Sequence, residues 1–134
     1  MLLTPTYHVF DMYKVHQDAT MLPTVVKCGT YSRLNKKLDA VSVSASKDKD
    51  GKVHISFVNI DPTNAIDIDC NIRGLKDGKL NNVNIITATN TDSHNTFENP
   101  DVVHLEDYKG AIYKNGTLTL KMPAKSLITV ELNH

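Results

Sequence analysis

Between Ile66 and Arg73 apolar and polar residues alternate without a break, with Ile66, Ile68, Cys70 and Ile72 set against Asp67, Asp69, Asn71 and Arg73. A repeat of two places the four apolar side chains on one face of an extended strand, whereas a helix would scatter them around its axis. One dry face and one wet face belong to an antiparallel sheet, because parallel sheets are covered on both sides. The alternation recurs in Val41, Val43 and Ala45 against Ser42, Ser44 and Ser46, and in Val53, Ile55 and Phe57 against His54 and Ser56. Further strands are expected over residues 25–31, 82–89, 117–122 and 127–132. Asp50-Gly51 and Asn115-Gly116 fall between such runs and predict hairpins, since a tight primed turn needs positive φ; Asp77-Gly78 marks a third turn. Residues 90–109 are polar, weakly patterned and contain Asn99-Pro100, as expected of a long connection crossing between two sheets. The fold class expected is all-β, an antiparallel β-sandwich of jelly-roll type, preceded by one N-terminal α-helix.

The helix is expected from Thr6 to Gln17, with Thr4 as N-cap, Pro5 in the first turn and an end near Asp18. At 100° per residue Tyr7, Val9, Phe10 and Tyr13 share a broad face, while Met12 and Val15 lie on roughly the opposite side. Apolar groups on both sides suit a helix held between two bodies. Isolated exposed apolar residues are the plainer alternative.

With 134 residues the chain is long enough for one self-sufficient core. Fifteen Lys plus Arg balance fifteen Asp plus Glu, so no net field attracts nucleic acid or an anionic membrane, and neither is expected as a partner. No apolar run reaches the ~18 residues that span a bilayer. The start, Met1-Leu2-Leu3-Thr4-Pro5, has no signal-peptide pattern, so a soluble, untargeted chain is expected. Cys28 and Cys70 lie far apart and leave both pairing and compartment open.

No catalytic, cofactor-binding or metal-binding residue is assigned. Of three glutamates, Glu131 alternates with Val130 and Leu132 on an expected solvent face, and Glu98 and Glu106 fall in the long connection without a supporting motif. The histidines His8, His16, His54, His94, His104 and His134 lack metal-ligand spacing and are expected on the surface. Asp48-Lys49-Asp50-Gly51 echoes a calcium loop but lacks its downstream ligands, so a turn is expected. Asn115-Gly116-Thr117, formally a glycosylation acceptor, is likewise read as a turn. The basic residues Arg33, Lys36, Lys37, and Lys47, Lys49, Lys52, have no interleaved aromatics and are read as solvated edges. Trp is absent, which weakens carbohydrate binding by the chain itself; Tyr31, Tyr108 and Tyr113 remain as candidate sugar contacts.

The stretch from Leu3 to Gln17, Leu-Thr-Pro-Thr-Tyr-His-Val-Phe-Asp-Met-Tyr-Lys-Val-His-Gln, closely resembles the segment that ends the catalytic barrel in α-L-arabinofuranosidases of glycoside hydrolase family 51. Asn95-Thr96-Phe97-Glu98-Asn99-Pro100, Leu118 to Pro123 and Ser126 to Leu132 resemble the end of those enzymes, so the likeness spans nearly the whole chain. The resemblance implies that residues 1–19 hold the last barrel helix and residues 20–134 a C-terminal β-sandwich domain. It implies a partner (β/α)₈ barrel in the same parent chain, preceding Met1, whose two glutamates perform retaining hydrolysis at a separation of about 5–5.5 Å. The parent would release terminal arabinofuranosyl residues from arabinan or arabinoxylan. This chain carries neither glutamate motif and is expected to be inactive alone, without cofactor. Its expected role is support of the barrel, with homo-oligomer contacts and the rim of the substrate cleft as further roles left open. A stand-alone carbohydrate-binding module and a protein-association sandwich are the alternatives.

Overall fold

The computed structural model describes residues 1–134. Thr4 stays extended (φ −87°, ψ 160°), and its hydroxyl accepts the Tyr7 N–H at 3.2 Å, opening helix α1 (Pro5–Tyr13). Pro at the helix start costs nothing, because the N–H it lacks would have no helical partner. A 3₁₀ turn, Lys14–His16, tightens the end, and Asp18 leaves with positive φ. Eleven strands follow: β1 (Thr20–Met21), β2 (Thr30–Arg33), β3 (Lys36–Asp39), β4 (Val41–Lys47), β5 (Val53–Asn59), β6 (Ile66–Asn71), β7 (Lys79–Thr87), β8 (Glu106–Asp107), β9 (Ile112–Lys114), β10 (Thr117–Met122) and β11 (Ser126–Asn133).

They form an antiparallel sandwich. A six-stranded sheet in the order β1-β4-β5-β11-β7-β8 faces a three-stranded sheet, β6-β10-β9, and β2-β3 form a separate ribbon. The chain crosses between the two main sheets at β5–β6, β6–β7, β8–β9 and β10–β11. Period two fills the space between them: Val53, Ile55, Phe57, Val83, Ile85, Ile128, Val130 and Leu132 from the large sheet meet Leu118, Leu120 and Met122 from the small one. Phe57, Leu118, Met122, Ile128 and Leu132 are among the side chains wholly removed from water, each worth roughly 1.5–3 kcal/mol relative to exposure.

Several local expectations change. Residues 25–29 form no strand: Val25 is 91 % exposed, and regular pairing begins at Thr30, where Lys36–Asp39 supplies a partner strand. A β-branched pair without a partner strand has nothing to hold it extended. Strand β7 starts at Lys79 rather than at 82, because a bulge shifts the register against β11 between Glu131 and Leu132 and breaks the alternation. Strand β5, expected to be wet on its polar side, is buried on both. The hairpin expected at Asp50-Gly51 does join β4 to β5, but through a longer loop, residues 48–52, where the Asp48 carboxylate accepts the N–H groups of Asp50 (2.9 Å) and Lys52 (3.0 Å) and Gly51 takes φ 82°. Asn115 and Gly116, at φ 51° and 81°, make the expected tight turn between β9 and β10. The connection from Ala88 to Leu105 leaves the large sheet and returns briefly to its edge as β8 before β9 joins the small sheet.

Candidate functional site

The outer face of the large sheet carries α1, and the register shows what lies beneath it. Ser44 pairs with Ser56, Ser56 with Thr129, and Thr129 with Asn84. One row along, Ser46, His54, Glu131 and Asn82 stand side by side, and at the other end lie Val58, Leu127 and Ile86. The face therefore grades from apolar to polar. Helix α1 matches that gradient. Met12, 5 % exposed, packs with Ile86, Val103 and Leu127, and Tyr13, Val58, Ala88 and Leu105 close the cluster.

Over the polar rows, His16 of the 3₁₀ turn acts as a staple. Its Nδ1 lies 2.6 Å from Ser46 Oγ and its Nε2 2.7 Å from Ser56 Oγ, joining the helix to β4 and β5. Burial holds the His16 imidazole below its ordinary pKa, and the neighbouring His54 adds to this. His54 lies between two carboxylates: its Nε2 is 2.8 Å from Asp48 Oδ2 and its Nδ1 3.9 Å from Glu131 Oε2. The bond to His54 holds the Asp48 carboxyl below the usual range. Lys52 (3.4 Å) and Asn81, from the bulge, also meet Glu131. A cavity of about 50 Å³ lined by Val15, His54, Asn84 and Glu131 is too small for a sugar ring.

The opposite face of α1 is bare. Phe10 is 74 % exposed, Tyr7 48 % and Val9 38 %. The long connection is tied to the helix entry by Asn95, whose Nδ2 donates to Leu3 O and Val103 O, both at 2.8 Å, while its Oδ1 accepts from Val103 N.

The histidines correct one expectation. His54 is buried and His16 half-buried, because the 3₁₀ turn covers the polar side of β4 and β5. Serine and histidine at alternating positions promise a wet face only when nothing lies over it. Glu131 is half-buried in the His54 network, while Glu98 is exposed and Glu106 meets His104 at 2.9 Å on the surface. Cys28 and Cys70 are both free, and burial pushes the Cys70 thiol up. No three His, Cys, Asp or Glu side chains gather as metal ligands. No helix is long and apolar enough to cross a membrane. The three tyrosines form no platform. Tyr31 lies on the ribbon, Tyr108 donates its hydroxyl to Lys121 O at 2.7 Å, and Tyr113 packs against the core with its hydroxyl bonded to Leu75 O. An open groove of about 320 Å³ on the small sheet is lined by Asp67, Asp69, Gly110, Thr119 and Lys121, with no aromatic side chain.

This sandwich with its N-terminal helix has counterparts among known proteins. The α-L-arabinofuranosidase C-terminal domain family matches residues 1–126. The chain belongs to that family. Its members here are the glycoside hydrolase family 51 enzymes. The chain is 45 % identical over 133 residues to an intracellular exo-α-L-arabinofuranosidase of Bacteroides ovatus, covering 98 % of this chain and 26 % of that protein. The crystal structure of the family 51 arabinofuranosidase from Xanthomonas axonopodis pv. citri superposes with a TM-score of 0.93 at 35 % identity, covering 99 % of this chain and 27 % of the other. The family 51 enzyme AbfB of Bifidobacterium longum has the same fold, with a TM-score of 0.87 at 19 % identity over 98 % and 26 % of the two chains. This arabinofuranosidase domain thus spans about a quarter of the length of its relatives.

Proposed function

We propose that this domain is the non-catalytic support of an α-L-arabinofuranosidase barrel, with residues 1–19 as the last barrel helix and residues 20–134 as the sandwich that braces it. The observation that carries this reading is the two-sided helix: Met12 is buried against the sandwich while Tyr7, Val9 and Phe10 face outward uncovered. Burying a phenylalanine and a tyrosine is worth roughly 1.5–3 kcal/mol each, enough to matter in a domain whose net stability is about 5–15 kcal/mol. The parent enzyme would release terminal arabinofuranosyl residues from arabinan or arabinoxylan, in keeping with the exo-acting relative.

A retaining glycosidase needs two carboxyl groups converging across the sugar, about 5–5.5 Å apart. Here Glu98 and Glu106 stand in solvent and Glu131 is engaged by His54 and Lys52, so no such pair is built. The 134-residue chain is therefore expected not to hydrolyse an aryl α-L-arabinofuranoside; turnover that follows the purified chain through successive columns would refute this. The binding-module alternative predicts saturable heat on titration with arabino-oligosaccharides. The groove without aromatics predicts a flat trace.

A further inference from the structure

Three glycines of the chain follow an Asn or Asp: Asp50-Gly51, Asp77-Gly78 and Asn115-Gly116. Of the asparagines, only Asn115 is followed by glycine. Such a pair can close on itself, because glycine has no Cβ to obstruct the approach of its nitrogen to the side-chain carbonyl carbon before it. The fold treats the three pairs differently. The Gly51 N–H donates to Asp48 O and the Gly78 N–H to Leu75 O, both at 3.1 Å. An amide that donates its proton to a carbonyl resists ionisation, since the anion would lose the bond and face the oxygen. The Gly116 N–H has no backbone partner.

Charge separates the pairs in the same direction. Asp50 and Asp77 carry carboxylates, which are poor electrophiles, and the Asp48 carboxylate bonded to Asp50 N adds negative charge to the first. At the third pair the side chain is a neutral carboxamide. Lys114 precedes it, and Lys76 lies against Gly116, its Cγ 3.8 Å from where a Cβ would stand. Nearby cations favour a negative nitrogen. Asn115 is exposed, and β9, three residues long, is an edge strand hydrogen-bonded only to β10. Gly116 is buried within the turn, but a hairpin tip on so short an edge opens at little cost and admits hydroxide.

We propose that Asn115 is a site of self-modification, at which the folded chain deamidates. Hydroxide removes the Gly116 amide proton, and the nitrogen forms a bond to Asn115 Cγ. The bond from Cγ to Nδ2 breaks, and Nδ2 takes up a proton from water and leaves as ammonia. The product is a five-membered cyclic imide, which water opens at either carbonyl. Addition at Cγ gives Asp at this position. Addition at the backbone carbonyl carbon gives isoaspartate, whose main chain runs through Cβ and Cγ and is one carbon longer. Asn115 and Gly116 hold φ 51° and 81°, and Gly116 O accepts the Ile72 N–H at 2.7 Å. Aspartate tolerates that left-handed turn, so the first product keeps it. The longer main chain of the second cannot close the same two-residue loop, and it loses the bond to Ile72 and the register of β9 on β10. This does not rest on the barrel reading, which concerns Tyr7 and Phe10 on the helix.

The test is to hold the folded 134-residue chain at mildly alkaline pH and map the products by peptide mass, with isoaspartate read separately by isoaspartyl methyltransferase labelling. Exchange of amide for acid should appear first in the peptide that contains Asn115, and isoaspartate should accumulate there. Asn115→Gly keeps the positive φ and removes the carboxamide, so it should accumulate none at this turn. The aged chain should gain a second melting transition several degrees below the first, in proportion to its isoaspartate, whereas Asn115→Asp should melt with the fresh chain. Another asparagine reacting before Asn115, isoaspartate undiminished in Asn115→Gly, or an isoaspartyl chain that melts with the fresh one would overturn the inference.

Discussion

Met12 and His16 hold the helix to the sheet by different means. Met12→Ala should cost about 2–4 kcal/mol by urea denaturation, because Ile86, Val103 and Leu127 close around a side chain that is 5 % exposed. His16→Ala leaves Ser46 and Ser56, both buried, without their imidazole partner and should cost about 1–3 kcal/mol. The His16 pKa is lowered on folding, so the unfolded chain binds the proton more readily. Its contribution is therefore complete above the unfolded value of about 6.5 and is lost as pH falls through and below it. The urea midpoint should fall between about pH 7 and pH 5, and the fall should be smaller in His16→Ala, which has no imidazole to titrate. Met12 on the far side of the wheel from Tyr7, Val9 and Phe10 was legible from spacing alone. The place of His16 was not, since its partners lie 30 and 40 residues away and only the folded sheet brings them together.

Among the elements, strands with unbroken alternation were legible, and β6, β10 and β11 sit within a residue or two of where periodicity puts them. Those that failed did so for tertiary reasons. The bulge opposite Leu132 hid the start of β7, and the β2-β3 ribbon turns on Leu34-Asn35, which lacks the glycine that marks such turns. Turn chemistry yields two checks. Gly116, at φ 81°, would bring a Cβ within 3.3 Å of Ile72 O, so Gly116→Ala should lose more than about 1 kcal/mol in thermal unfolding. In the loop after β5, the Asp61 carboxylate accepts from the Asn64 side-chain amide and from the backbone N–H groups of Thr63 and Asn64, which together lower its carboxyl from 3.8 to about 2. A lowered carboxyl stabilises the fold above its unfolded pKa and loses that contribution as pH falls toward the folded value. Acid unfolding between pH 3.8 and about 2 should therefore be shallower in Asp61→Ala.

At the scale of the whole molecule, the sandwich is complete in its core but carries a helix with one side dressed and one side bare. Fold class was legible because period-two patterning reports an antiparallel sheet wherever it occurs. The family was legible only through resemblance, because the surface proposed to support a barrel uses ordinary apolar residues and carries no catalytic motif. If the bare side of the helix seats on an arabinofuranosidase barrel, the stability of the barrel depends on Phe10 although Phe10 touches no substrate. The direct measurement is the thermal inactivation midpoint of arabinofuranosidase activity in the enzyme carrying this domain, with and without Phe10→Asp. The account predicts a midpoint lowered by several degrees, roughly 2–4 °C for each kcal/mol lost in a domain of 150–250 residues, with kcat/KM at low temperature unchanged. An unchanged midpoint, or a loss of kcat/KM at low temperature with no loss of thermal stability, would contradict it.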